Sequence, residues 1–72
     1  MKDNDVNSMS SLKKAFLILH QLSESPYEYT PTLLAQKTGV NRTTIHRILQ
    51  ELADFDVVIK NESTKTYRIG PN

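Results

Sequence analysis

Apolar residues recur every three or four positions in two segments of the chain, residues 12–22 and 45–52, and this spacing predicts two amphipathic helices. Near the C-terminus, residues 57–60 and 65–69 have the composition of short strands and flank the polar segment 61–64. They predict a β-hairpin in which Tyr67 and Ile69 share the inward face. A two-stranded hairpin is not stable alone, so it must pack on the helices. With a short helix expected in the middle, the order predicts a mainly α fold with a small β-hairpin. This is a winged helix-turn-helix, in which three helices carry a two-stranded wing.

The first helix is expected to begin at Ser10 or Ser11, whose hydroxyl can accept a hydrogen bond from an unpaired backbone N–H, and to run to about Ser23. Its predicted core-facing stripe consists of Leu12, Ala15, Phe16, Leu19 and Leu22. Leu17 lies opposite this stripe, and Ile18 lies at its edge. Leu17 is either an ordinary exposed leucine or part of a contact with another subunit, and periodicity favours neither interpretation.

A tight turn is predicted between the second and third helices. Thr30 followed by Pro31 indicates the start of the second helix, because threonine caps well and proline suits the first helical position. Gly39 indicates its end, since glycine readily adopts the left-handed conformation after a helix C-terminus. Asn41 can cap the third helix only two residues later, and Ala35 is small where the two helices approach closely. Such a short connection fixes the angle between the helices and predicts a helix-turn-helix.

The third helix, residues 41–55, has one apolar and one polar face. Its apolar face consists of Ile45, Ile48, Leu49 and Leu52, and Phe55 is expected to close the helix against the core. The polar face carries hydroxyl, imidazole, guanidinium and amide groups, which bind base edges and phosphates, whereas protein-binding faces are usually richer in aromatic residues and methionine. We therefore expect sequence-specific binding of double-stranded DNA, with this helix in the major groove and the wing, residues 57–69, on the backbone or in the minor groove. A winged-helix module that binds protein without DNA is the alternative.

The candidate DNA-binding residues lie at the start of the second helix, along the third helix and on the wing. They are Thr30, Thr32, Asn41, Arg42, Thr43, Thr44, His46, Arg47, Gln50, Lys60, Lys65 and Arg68. Arg47 is the best candidate for a bidentate contact with guanine or for a phosphate clamp. His46 donates best when protonated, and an exposed neutral histidine is the alternative. Residues 29–50 carry three basic side chains and no acidic one, which indicates a locally positive surface although the net charge is only +1.

Composition argues against several other classes of function. The chain has 72 residues, the size of one small domain, and no cysteine, so neither a disulfide nor a thiolate metal site is possible. His20 and His46 are too far apart in sequence for a local metal motif. The sequence has no glycine-rich phosphate loop, paired-carboxylate motif or nucleophile–base signature. No enzyme activity, catalytic residue, metal site or cofactor is therefore expected, and the acidic residues Glu51, Asp54 and Asp56 are most simply solvated.

Polarity predicts the boundaries of the domain. Residues 1–9 are expected to form a flexible arm, residues 10–70 the domain, and residues 71–72 the start of a linker. Five apolar residues follow Lys13 and Lys14, which is too few for a signal peptide or for a membrane span of about 20 residues. A cytoplasmic protein without a membrane contact is therefore expected.

Several segments together resemble the N-terminal domain of IclR-type bacterial transcription regulators. The sharpest are residues 43–49 (Thr-Thr-Ile-His-Arg-Ile-Leu) followed by Leu52, and residues 67–70 (Tyr-Arg-Ile-Gly). Further similar positions are Ser11, Leu12, Lys14, Ala15, Ile18, Leu19, Leu34, Ala35, Thr38, Gly39 and Val40. The resemblance covers nearly everything from Ser10 to Gly70. One departure is Asp56, because the family often has glycine there, although aspartate tolerates positive φ better than most residues.

The resemblance implies a winged-helix domain that is followed by a linker helix and by a C-terminal domain that binds a small-molecule effector. Such regulators act as dimers or tetramers on palindromic operators. It also implies that Thr43, Thr44 and Arg47 lie at the DNA, and that Leu17, with Ile18 beside it, lies near a dimer contact. The chain ends where the linker helix is expected to begin, so we expect an excised domain rather than a naturally short regulator.

Overall fold

Three helices and a two-stranded antiparallel sheet make up the domain, as the sequence predicts. The computed structural model describes residues 6–70. A short 3₁₀ helix at Val6–Ser8 precedes α1 (Ser11–Leu22), α2 (Pro31–Thr38), α3 (Arg42–Asp54), β1 (Val58–Asn61) and β2 (Thr66–Ile69). The fold is therefore mainly helical with a small wing.

Side-chain caps define the N-termini of the three α-helices, and the predicted residues supply them. Ser10 accepts a hydrogen bond from the Lys13 backbone N–H, and Thr30 accepts one from that of Leu33. The Asn41 side chain accepts a hydrogen bond from the Thr43 backbone N–H. Each cap satisfies one of the backbone donors that the first turn of a helix leaves unpaired. Because these signals are local, the helix boundaries lie within about two residues of those predicted.

The core contains residues from every α-helix, from both strands and from the connector between α1 and α2. Its buried members are Ile18, Leu22, Tyr29, Leu34, Val40, Ile45, Ile48, Leu49, Val58 and Tyr67. Tyr29 lies in this connector, outside the predicted core residues, yet its side chain is buried. The predicted inner face of α3 is confirmed.

The inner face of α1 differs from the predicted stripe. Ile18 and Leu22 are buried, whereas Leu12 and Phe16 are 66% and 61% exposed. The segment has apolar residues on most sides, so periodicity alone could not identify the face that α2, α3 and β2 cover. The prediction was therefore wrong for Leu12 and Phe16, whereas Leu22 lies in the core and Ala15 and Leu19 pack against it as predicted.

Ile18, a predicted member of a contact between subunits, offers no exposed surface for one. Its side chain is completely buried in the domain's own core. Leu17 is half-buried against the core and keeps part of its surface exposed. A dimer contact through Leu17 therefore stays a prediction.

The wing is joined to the connector between α1 and α2. Backbone hydrogen bonds link Tyr29 and Tyr67 in both directions, at 3.0 Å from the Tyr29 N–H and 2.8 Å from the Tyr67 N–H. Within the hairpin, Val58 pairs with Ile69 and Lys60 pairs with Tyr67. Tyr67 faces inward as predicted, but Ile69 at the end of the strand is 39% exposed. The connector thus restricts the position of the wing.

The chain leaves α3 through Phe55 and Asp56. Phe55 was expected to pack on the core, but it follows the last residue of α3 and is 81% exposed. Asp56 has φ of 62°, a positive value that aspartate tolerates better than most residues. Gly70 donates its N–H to the Val57 carbonyl at 2.8 Å, and a Cβ at Gly70 would collide with the Asp56 carbonyl oxygen. Glycine at position 70 therefore lets the end of the wing pack on its beginning.

Val6 and Asn7, predicted as part of a flexible arm, contact the rest of the domain. Val6–Ser8 form one turn of 3₁₀ helix, and Val6 packs against the hydrophobic core. The expectations for residues 1–5 and 71–72 lie outside the described residues. None of the helices within residues 6–70 has the length and apolar character needed to cross a membrane.

Candidate nucleic-acid interface

Helix α3 separates a buried face from a polar exposed face. Ile45, Ile48 and Leu49 are buried, and they hold the helix on α1 and α2. The opposite face exposes Thr43, His46, Arg47 and Gln50. This side of the helix therefore presents hydroxyl, imidazole, guanidinium and amide groups together, in an arc that spans two turns.

The turn before α3 is held by a hydrogen bond at each of its three backbone N–H groups. The Gly39 N–H donates to the Ala35 carbonyl at 2.9 Å, with Gly39 in the left-handed conformation at φ of 81°. The Val40 N–H donates to the Thr38 hydroxyl at 3.2 Å. The Asn41 N–H donates to the Oδ1 atom of Asn7 at 3.0 Å. Since Asn41 also caps α3, this turn sets where the exposed face of α3 begins.

Two side chains of the exposed face are paired with acidic residues one turn later. Arg47 Nη1 lies 3.8 Å from Glu51 Oε1, with about half of each side chain or more exposed. Gln50 donates from Nε2 to Asp54 Oδ1 at 3.2 Å. Glu51 and Asp54 were expected to be simply solvated, although a spacing of four residues from Arg47 and Gln50 favours such pairs. Exposed pairs of this kind contribute little to stability, so they can open when a stronger partner arrives.

The remaining candidate residues of α2 and α3 differ in their exposure and in whether their side chains are already engaged as helix caps. Thr30 is half-buried, and its hydroxyl accepts the cap hydrogen bond from the Leu33 N–H at 3.1 Å. Asn41 likewise uses its side chain as a cap. Thr32 and Arg42 are exposed, whereas Thr44 is half-buried between the two faces of α3.

The three cations of the wing do not form one surface. Lys60 pairs with Tyr67 across the strands and lies on the same side of the hairpin, 5.9 Å above the tyrosine ring. Arg68 is the next residue of β2 and therefore lies on the other side. Lys65 lies in the turn, where Glu62 Oε1 is 3.9 Å from its Nζ and 3.8 Å from that of Lys60. The structure therefore brings Lys60 and Lys65 together around Glu62 and separates Arg68 from them.

Within residues 6–70, no three His, Asp or Glu side chains are grouped closely enough to hold a metal ion. His20 lies 3.7 Å from Glu24 on the exposed end of α1, and His46 lies on the outer face of α3. The two histidines therefore belong to separate surfaces, and neither has the neighbours that a metal site requires.

Comparison with known proteins gives the family. The model of the IclR helix-turn-helix domain matches residues 11–61, which is more than half of the chain. The chain belongs to the IclR family. The matched region covers α1, α2, α3 and β1, so the family's helix-turn-helix is the α2–α3 pair described above. Proteins of this family are transcription regulators rather than enzymes.

Two solved structures of IclR-type regulators are similar to the domain. A transcriptional regulator from Alicyclobacillus acidocaldarius is 35% identical, with a TM-score of 0.81 over 85% of this chain and 25% of that one. A protein described as an IclR transcriptional regulator from Silicibacter sp. TM1040 is 28% identical, with a TM-score of 0.78 over 88% of this chain and 24% of that one. The chain thus spans about a quarter of the length of these regulators. None of the curated proteins compared with it is similar.

Proposed function

We propose that the domain binds double-stranded DNA in a sequence-specific manner, with α3 in the major groove and the wing on the backbone or in the minor groove. The observation that supports this proposal best is the exposed face of α3, where Thr43, His46, Arg47 and Gln50 project from a helix that is anchored on its other side. A helix of this diameter fits the major groove, and these side chains carry the donors and acceptors that distinguish base pairs there.

Specific contacts with the DNA are proposed for five polar side chains of α3. Arg47 makes a bidentate contact with guanine or clamps a phosphate, and Gln50 contacts adenine where α3 lies deep enough. Thr43 and Thr44 contact a thymine methyl group or a phosphate, and Arg42 at the start of α3 contacts phosphate.

Backbone contacts are proposed for the remaining cations and hydroxyls. Thr32 and the N-terminus of α2 offer a hydroxyl group and the positive end of a helix dipole to a phosphate. Lys60 and Lys65 approach one stretch of backbone together, because they surround Glu62. Arg68 lies on the other side of the hairpin, so its proposed phosphate contact is a separate one.

The complete regulator is proposed to act as a dimer or tetramer on a palindromic operator, and its effector would bind a domain outside this chain. One α3 helix on a domain with a net charge of +1 supplies few phosphate contacts, so a single copy should bind weakly. Two copies related by a two-fold axis would place two such helices in successive major grooves. A cytoplasmic location is proposed, because a protein that binds an operator must share a compartment with the DNA.

Selection of duplexes from a randomised pool tests the proposal directly. Both the 72-residue chain and a dimer made by fusing it to a coiled coil should enrich a common sequence, and affinity should fall as salt rises. A protein-binding winged helix is the competing function, favoured by the exposed apolar residues Leu12, Phe16 and Phe55. It would be supported if neither sample enriched any sequence and duplex binding were absent or insensitive to salt.

Replacing Arg47 with alanine should weaken binding to the selected duplex by about 1–3 kcal/mol and relax the preference at one base pair. Lys65→Ala is the matched control, since it also removes one exposed cation but from the turn of the wing. It should weaken binding to all duplexes alike and reduce the salt dependence. Fluorescence anisotropy titrations at two salt concentrations measure both effects. Equal, sequence-independent losses from the two variants would contradict the base contact of Arg47.

Replacing Glu51 with glutamine should tighten binding by up to about fivefold, because Arg47 loses its competing partner and the interface loses a negative charge. Glu24→Gln makes the same change in charge beside His20 at the end of α1. It should leave the affinity unchanged. The same titrations compare the two variants, and weaker binding by Glu51→Gln would instead indicate that Glu51 contacts the DNA.

A further inference from the structure

Asn7 joins the two ends of the helix-turn-helix turn although it lies more than thirty residues away in sequence. Its Oδ1 atom accepts a hydrogen bond from the Asn41 N–H at 3.0 Å, and its Nδ2 atom donates to the Gly39 carbonyl at 3.5 Å. One carboxamide therefore contacts the residue that ends α2 and the residue that caps α3.

The contact to Asn41 completes the hydrogen bonding of the turn. The Gly39 and Val40 N–H groups bond to Ala35 and Thr38, which are residues of α2 itself. Asn41 depends on Asn7, because an N-cap residue precedes the helix and its N–H has no partner within that helix.

Val6 adds a second contact to the same turn. A Cβ atom placed on Gly39 would lie 2.9 Å from the Cγ2 atom of Val6, so the valine packs directly against the glycine. The 3₁₀ helix Val6–Ser8 therefore supports the turn by apolar contact from one residue and by hydrogen bonds from the next. Both contacts act on the residues that determine the direction in which α3 starts.

We infer that Asn7 is a positioning residue for DNA recognition: it fixes the start of α3 so that Thr43 and Arg47 are ordered before the DNA arrives. This inference rests on the proposed function of α3. A binding helix that is already ordered loses less conformational entropy on association, and the benefit is largest for base contacts, which need accurate placement. Phosphate contacts from flexible lysines tolerate a small displacement of the helix.

Asn7→Ala, made in the 72-residue chain, tests the inference with two measurements. Hydrogen exchange at the Asn41 amide, followed by NMR, should become about two- to tenfold faster, since one hydrogen bond is lost. Affinity for the selected duplex should fall by a similar factor, while affinity for a duplex of unrelated sequence and the salt dependence stay unchanged. Ser23→Ala is the matched control, because it also removes one side-chain hydrogen bond to the backbone, to the His20 carbonyl at the end of α1.

Asn7→Asp separates the two contacts of the carboxamide. It keeps an acceptor for the Asn41 N–H but removes the donor to Gly39, so exchange at Asn41 should remain slow. Unchanged exchange at Asn41 in Asn7→Ala would overturn the inference. A loss of affinity that is equal for all duplexes, with a smaller salt dependence, would also overturn it and indicate direct contact between Asn7 and phosphate. If the wild-type chain enriched no duplex, the proposed function itself would fail, whatever the exchange rates.

Discussion

Replacing Tyr29 with alanine is expected to lower the free energy of unfolding by about 3–5 kcal/mol, the range typical of large aromatic truncations in a core. Its ring is buried, and its hydroxyl accepts a hydrogen bond from Gln21 Nε2 at 3.0 Å. The same hydroxyl lies 2.8 Å from the Ser25 carbonyl oxygen, to which it can donate. Truncation therefore opens a cavity and leaves the Gln21 side-chain amide and the Ser25 carbonyl without this partner.

Tyr27→Ala is the matched control, since it removes the same side chain two residues earlier, where it is 59% exposed. It should change stability by less than about 1 kcal/mol. Urea denaturation followed by circular dichroism measures both variants. Tyr29→Phe should fall between them, because it keeps the ring and removes only the hydroxyl. Similar losses from Tyr27→Ala and Tyr29→Ala would contradict the assignment of Tyr29 to the core.

Replacing Ile18 with alanine should lower the free energy of unfolding by about 2–5 kcal/mol, because the side chain is fully buried among residues of the other helices and the wing. Unlike a residue of a subunit contact, Ile18 should show this loss at every protein concentration. Urea denaturation at several protein concentrations checks both points.

Phe16→Ala distinguishes the observed face of α1 from the face that periodicity predicts. The predicted stripe includes Phe16 and leaves Ile18 at its edge, so it would assign the larger loss to Phe16. The structure predicts the reverse, with a loss of less than about 1 kcal/mol at this mostly exposed position. A larger loss from Phe16→Ala than from Ile18→Ala would favour the original stripe.

The α2–turn–α3 unit could be predicted from sequence because its signals are local. Thr30 and Pro31 start α2, Gly39 ends it, and Asn41 caps α3, each through contacts within a few residues of the chain. The inner face of α3 was also predictable, since its apolar residues occupy one narrow arc and the rest of the helix is polar. The exposed candidate residues of α3 follow directly from that assignment.

The face of α1 was not predictable in the same way, because its apolar residues surround most of the helix. Which of them become buried depends on the positions of α2, α3 and β2, which no local signal gives. Tyr29 was missed for a related reason, since it lies in a connector and pairs with Tyr67, which is distant in sequence. The role of Asn7 rests on contacts that span more than thirty residues, and an asparagine in a polar segment gives no sign of them.

The division of α3 into two faces bears on how regulators with this fold diverge. Thr43, His46, Arg47 and Gln50 are exposed, so substitutions there should change folding stability by no more than about 0.5 kcal/mol. Ile45, Ile48 and Leu49, by contrast, are constrained by the core. Under the proposed function, a lineage can therefore acquire a new operator by single substitutions, and every intermediate along that path remains a folded protein. Gene duplication followed by changes on one helix face is then sufficient to give two regulators with separate targets.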